Sequence, residues 1–134
     1  MRRVLSCLAI VIALASFGCG SDKGPKKYKV TGPVSFDGQP VAKGSILFRS
    51  TGAEARGYTA EIQDGKYEIE CEDGSMRVEI TASREVPGKT RKDENTGETV
   101  PFVEMYIPAK YNSNSTLTAT VKTETQTIPF ELAK

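Results

Sequence analysis

The sequence predicts an all-β protein, a single antiparallel β-sandwich of about seven strands that follows an N-terminal signal peptide. Three observations carry this. Beyond Tyr28 apolar residues alternate at period two, glycine-bearing turn pairs interrupt the alternation at short intervals, and no stretch keeps a helical period over three turns.

The leader comes first. Met1-Arg2-Arg3 is a positive cap, and Val4 to Ala15 is an almost uninterrupted apolar run followed by small residues. As a helix it would rise about 18 Å, short of the ~30 Å hydrocarbon core of a bilayer, so it reads as a secretory signal and not as a permanent span. Ser16-Phe17-Gly18-Cys19 resembles the lipobox of bacterial lipoproteins, in which a cysteine after small residues takes a diacylglycerol and becomes the first residue of the mature chain. Gly18 and Cys19 fit it; Ser16 and Phe17 stand where the pattern usually has an aliphatic and a small residue. Ala13-Leu14-Ala15 offers the alternative, an ordinary signal-peptidase site releasing a soluble chain that begins at Ser16. The reading is therefore a signal peptide over 1–18, a lipidated Cys19, a polar Gly- and Pro-containing tether over 19–27 and a domain over 28–134.

Strand by strand, Val30, Gly32, Val34 and Phe36 share one face of a first strand ended by Asp37-Gly38. Ile46 and Phe48 mark a second, and Tyr58, Ala60 and Ile62 a third. Asp64-Gly65 is the strongest hairpin signal, since this pair takes the positive φ angles of a turn whose twist matches its strands. Tyr67, Ile69 and Cys71 return. Asp73-Gly74 turns again into Met76, Val78, Ile80 and Ala82, so strands three to five are expected to form a meander. Arg84 to Val100, rich in charge and poor in apolar residues, is expected to be a long exposed loop. Leu117, Ala119 and Val121 alternate with threonines, and Ile128, Phe130 and Leu132 form the last strand.

Composition narrows the chemistry. The chain has 18 Lys and Arg against 17 Asp and Glu, and removing a leader with Arg2 and Arg3 leaves a net charge near zero and no basic stripe for nucleic acid. There is no histidine, which removes the commonest general base and a frequent metal ligand. Cys71 is the one cysteine left beyond Cys19, so no intramolecular disulfide is available to the domain; its phase with Tyr67 and Ile69 points it into the core. Glu68 and Glu70 fall on the outer face of the same strand. Asp93, Glu94, Asn95 and Glu98 lack the spacing of a calcium loop and sit among Lys89, Arg91 and Lys92. No cofactor, metal site or catalytic residue is expected. The aromatic handle is Tyr106 and Tyr111, flanking Pro108 with Phe102 and Met105 nearby: either a weak ligand platform or a cover over the open end of the core.

Val30-Thr31-Gly32-Pro33-Val34-Ser35-Phe36-Asp37-Gly38-Gln39-Pro40-Val41, with Gly44-Ser45-Ile46-Leu47-Phe48 and Gly65-Lys66-Tyr67-Glu68-Ile69, resembles carboxypeptidase regulatory-like domains. Ile107-Pro108-Ala109-Lys110-Tyr111-Asn112, Ser115-Thr116-Leu117-Thr118 and the closing Phe130-Glu131-Leu132 are similar to small envelope lipoproteins of planctomycete-type bacteria. The resemblance covers Lys29 to Leu132. It implies a transthyretin-like (prealbumin-like, Ig-like) sandwich, and it brings no ligand set, because in the large carboxypeptidases the zinc ligands belong to another domain. The expectation is a membrane-anchored, non-catalytic module of the cell envelope, structural or protein-binding, with carbohydrate or small-ligand binding as the alternative.

Overall fold

The computed structural model describes residues 24–134; the apolar leader, Cys7 and the anchor candidate Cys19 lie outside the described residues. In chain order come β1 (Tyr28–Phe36), β2 (Gln39–Pro40), β3 (Lys43–Ser50), β4 (Gly57–Gln63), β5 (Lys66–Cys71), β6 (Gly74–Lys92) and β7 (Thr99–Met105). A 3-10 turn (Ala109–Tyr111) precedes β8 (Thr118–Val121), β9 (Gln126–Thr127) and β10 (Phe130–Leu132). The described chain is all-β, and none of its helices is long and apolar enough to cross a membrane.

The order in the sheet is β10-β1-β5-β4-β3-β6-β7, with β2 and β9 also on β1 and β8 on β6. The β4–β5 ladder has two residue pairs, against six for β1–β5 and seven for β3–β4. The sheet therefore curls where β4 leaves β5, and side chains from its distant strands meet inside. Phe48 on β3 lies 5.9 Å from the Tyr67 ring on β5 and 6.1 Å from the Phe130 ring on β10, centroid to centroid. Residues 122–125 then carry the chain from β8, on β6, to β9, on β1, so opposite ends of the curl are tied by four residues.

The alternating residues point inward as the pattern demands. Val30, Val34, Ile46, Phe48, Ile62, Tyr67, Ile69 and Cys71 are buried, as are Met76, Val78, Ile80, Ala82, Ala119, Val121, Phe130 and Leu132. Burying such side chains contributes ~1.5–3 kcal/mol each for the larger ones, which is what holds a chain of this size together. Two of the three Asp-Gly pairs form tight hairpin turns: φ is +49° and +77° at Asp37 and Gly38, and +49° and +74° at Asp64 and Gly65. Positive φ at both central residues is the type I′ geometry that suits a two-residue hairpin.

Four expectations need correction. There are ten strands instead of about seven: β2 and β9 are two residues long and too short to show a period, and β7 lies beside the stretch expected to be a loop. The sheet is not purely antiparallel: β9 and β10 run parallel to β1. The meander stops at β5, since β6 pairs with β3 and not with β5; Gly74, at φ +115°, turns the chain across the core instead of closing a hairpin. And 84–100 is no loop. β6 continues through Ser83 to Lys92 and pairs with β7, leaving a turn of six residues at 93–98. Both faces of this arm meet water, so it carries no apolar alternation, and that removed the strand signal.

The strand directions fix where things sit. Tyr28 faces Cys71, Arg49 faces Gly57 and Ser50 faces Met76, so residues 24–27 lead into β1 at the end of the curl where β6 begins. The arm grows from the other end of β6. It therefore projects from the end of the domain opposite residues 24–27, by about 20 Å for the seven residues of β7 at ~3.3 Å each.

Candidate functional site

The arm is built from cross-strand pairs. Arg84 faces Glu104 directly, and its Nε and Nη2 donate to Glu104 Oε1 at 3.0 and 2.9 Å. Four residues of β6 (86–89) bulge opposite Phe102 alone, with Gly88 at φ +75°. At the tip Asp93 Oδ1 accepts the Asn95 and Thr96 backbone N–H groups at 2.9 and 3.0 Å, and these bonds hold its carboxyl below the usual range. Its oxygen is thus engaged by the turn. Phe102, Val103 and Met105 are the exposed large apolar residues of the described chain, at 38%, 48% and 62% exposure, and all three are on β7. Among the described residues no strand pairs with the outer edge of β7. β7 is not among the strands that the sequence pattern marks; the β-branched and aromatic Thr99, Val100, Phe102 and Val103 behind the Gly97 turn are the residues that could have marked it.

Two grooves lie where the arm leaves the body. One, of about 530 Å³, is walled by Phe36, Pro40 and Tyr106 and edged by Asp37, Lys43 and Lys134. The other, of about 440 Å³, runs along the outer face past Ser45, Thr81, Glu85, Val103 and Met105. Lys43, Ser83 and Arg84 line both. Within the first groove the Tyr106 ring packs edge-on against Phe36 at 5.7 Å, and the Arg84 guanidinium lies 5.2 Å over it. Lys134 Nζ sits 3.0 Å from Asp37 Oδ2 and its backbone N–H donates to Oδ1 at 3.0 Å; the side-chain contact is the main reason the Asp37 carboxyl titrates below its ordinary value.

Tyr106 and Tyr111 do not share a groove. Both are half-buried and pack against the core. Tyr106 belongs to the groove just described, whereas the Tyr111 hydroxyl accepts the Ala133 backbone N–H at 3.1 Å and ties down the end of β10. Burial pushes the Tyr106 phenol up, so it is neutral at physiological pH.

The remaining titratable clusters are structural in their geometry. At the end of the domain where β1 begins, Glu72 Oε1 accepts from Arg56 Nη1 at 2.6 Å and from the Tyr58 hydroxyl, while Arg56 Nη2 reaches Glu54 at 2.5 Å. These two donors, Tyr58 first, keep the Glu72 carboxyl ionised below the usual range. Lys26 and Lys27, just before β1, lie 5.3 and 5.6 Å over the rings of Tyr28 and Tyr58. Glu68 and Glu70 are exposed, as their phase requires, and Glu68 pairs with Lys29 at 2.7 Å. The Cys71 thiol is buried, which pushes its pKa up to about 11. No cluster of three or more metal-ligating side chains occurs among the described residues.

No protein-family model matches the chain, and no curated protein matches it. Among solved structures it is similar to a DUF3823 family protein from Parabacteroides merdae, at 18% identity and a TM-score of 0.41, over 80% of this chain and 46% of that one. It is also similar to a 9R-lipoxygenase from Cyanothece, at 12% identity and a TM-score of 0.39, over 81% of this chain and 16% of that one. The chain thus spans less than half the length of either structure, and neither brings an activity to it.

Proposed function

We propose that the chain is exported, held on a membrane of the cell envelope by lipid on Cys19, and works as a non-catalytic protein-binding module whose body is a prealbumin-like sandwich. The layers of that sandwich would be β9/β10-β1-β5 and β4-β3-β6-β8, parted where the β4–β5 ladder ends. One observation carries the binding role: β7 is an edge strand bearing Phe102, Val103 and Met105 in water, on an arm at the end of the domain remote from the tether. An unpaired row of N–H and C=O groups beside exposed apolar side chains is a template for adding an extended segment of another protein. Pro101 removes one donor from the strand, which limits unspecific pairing along it. Tethering behind and an open edge in front would present the arm away from the membrane.

The test has two parts. Mass spectrometry of the mature N-terminus should find a diacylglycerol-modified Cys19, and an unmodified chain beginning at Ser16 would refute the anchor. A photo-crosslinking amino acid at position 103, in the full chain in its native envelope, should yield one discrete adduct that the same probe at Thr59, on the body, does not. Equal adducts from both positions would remove the arm as the binding element. The second reading, binding of a small ligand, is favoured by the groove around Tyr106.

A further inference from the structure

Two hydrogen bonds at the ends of the arm fix which way each residue of β7 turns its backbone. The Tyr106 N–H donates to the Ala82 carbonyl at 3.2 Å, and the Asp93 N–H to the Glu98 carbonyl at 2.8 Å. In an antiparallel ladder such bonded pairs alternate with pairs whose N–H and C=O groups point away from each other. Counted along the register from either end, Val100 and Glu104 turn their backbone groups to β6, and Thr99, Pro101, Val103 and Met105 turn theirs to the free edge. The two counts agree because the extra residues of the bulge are on β6.

We propose that Pro101 divides this edge: it bars a second copy of the chain from pairing along β7, and it leaves Val103 and Met105 as the positions at which an extended segment of another protein is added. The second half rests on the protein-binding reading of the arm; the first does not.

Proline has no N–H, and its ring fills the space into which that N–H would point. A strand added past residue 101 therefore meets a ring where it needs a donor. Self-pairing suffers most. A closed pair of identical strands is two-fold, hence antiparallel. Centred on Phe102 it would overlap all of Thr99–Met105, yet it sets each Pro101 ring against the Val103 carbonyl of the other copy. Centred on Val103 it sets that ring against the Met105 carbonyl. Centred on Glu104 it brings the two Glu104 side chains directly opposite each other, where like charges destabilise.

A foreign segment escapes all three faults if it pairs with Val103 and Met105 and diverges before Pro101. Each of the two presents an N–H and a C=O to the edge. Their exposed side chains share one face and suit apolar side chains on the added strand, while Glu104 between them excludes an acidic residue opposite. No further charge selection is built in. Arg84 already pairs with Glu104, and Glu85 and Lys43, which line the groove beside Val103 and Met105, carry opposite charges. The partner segment is thus extended and apolar, with a neutral or basic residue between its two anchors.

The experiment places a photo-crosslinking amino acid at position 105 of the full-length chain, purified in detergent micelles. The parent should give little adduct at twice its own mass. Pro101→Thr should give about tenfold more or better, rising with concentration, since the change restores donors and removes the ring. Residue 101 gives β6 no hydrogen bond, so this variant should melt like the parent. Val103→Pro added to Pro101→Thr should abolish the self-adduct, because a ring returns to the edge. Equal self-adducts in the parent and in Pro101→Thr would overturn the barrier. In the native envelope the probe at position 105 should capture another protein, and the probe at position 99, outward on the same strand beyond Pro101, should not. Equal capture at both positions would overturn the division of the edge. Capture at neither would sink the protein-binding reading, whereas the self-pairing measurement involves no other protein and judges Pro101 by itself.

Discussion

The Tyr67 hydroxyl donates a hydrogen bond to the Ile128 carbonyl oxygen at 2.9 Å, and in doing so replaces a rung of the ladder that the sequence has deleted. β1 and β9/β10 run parallel in one register, and the Ile128 N–H bonds the Thr31 carbonyl at 2.8 Å. In a parallel ladder the returning bond would come to the Ile128 carbonyl from the N–H of residue 33. Residue 33 is proline and has none. Tyr67→Phe should therefore leave a carbonyl without its partner and lower the unfolding free energy by ~1–3 kcal/mol, read from urea melts. Pro33→Ala in the same background should recover part of that loss, and a double-mutant cycle showing no coupling would count against the replacement.

The same junction explains Gly32. A Cβ there would stand 2.0 Å from the Ile128 carbonyl oxygen and 3.1 Å from the Tyr67 ring. Gly32→Ala should push β9 and β10 off β1 and cost at least ~2 kcal/mol, since backbone and not a flexible side chain must yield. Hydrogen exchange of the amides in β9 and β10 is the direct readout. Protection equal to the parent's would contradict the close approach.

Cys71 should behave as a small apolar side chain. Its thiol should resist iodoacetamide at neutral pH in the folded chain and react fully in urea. The linkage has a definite sign. Burial raises the folded pKa to about 11, above the unfolded value of ~8.5, so the folded thiol keeps a proton that the unfolded chain releases. Its contribution is intact below about pH 8.5 and is lost as pH rises toward 11. Cys71→Ala should flatten this alkaline loss, compared at several pH values.

Glu72 gives the acid counterpart. Its folded pKa is depressed, first by the Tyr58 hydroxyl and then by Arg56, so its contribution is complete above the unfolded carboxylate value of ~4.3. It disappears as pH falls through the lower folded value. Melts at neutral and strongly acidic pH should show Glu72→Gln to be less sensitive to acid than the parent.

Where one face is dry and the other wet, the sequence is transparent. Tyr67, Ile69 and Cys71 could be placed inward, and Glu68 and Glu70 outward, from alternation alone. The Asp64-Gly65 turn was as plain, because its positive φ angles demand that chemistry. Legibility failed where burial does not alternate. The arm is wet on both faces, so Arg84 to Lys92 reads as loop although it is strand. Parallel pairing of β9 with β1 joins residues 96 positions apart, such as Val30 and Gln126, and no local pattern encodes it. Of the candidate site, Tyr106 was visible as an aromatic in an odd place. Its partners Phe36, Lys43 and Arg84 come from three other stretches of chain, and only the curl of the sheet assembles them.

The arm itself should be dispensable for folding. Glu85 and Val103 face each other directly, so residues 86–102 can be replaced by Asn-Gly to close a two-residue hairpin at that pair. None of the removed residues belongs to the buried core, so the melting temperature should stay within about 4 °C of the parent's. Adducts from a crosslinker at position 103 should vanish with the lost edge, and a truncated chain that keeps its adducts would show that β7 is not what the protein partner reads.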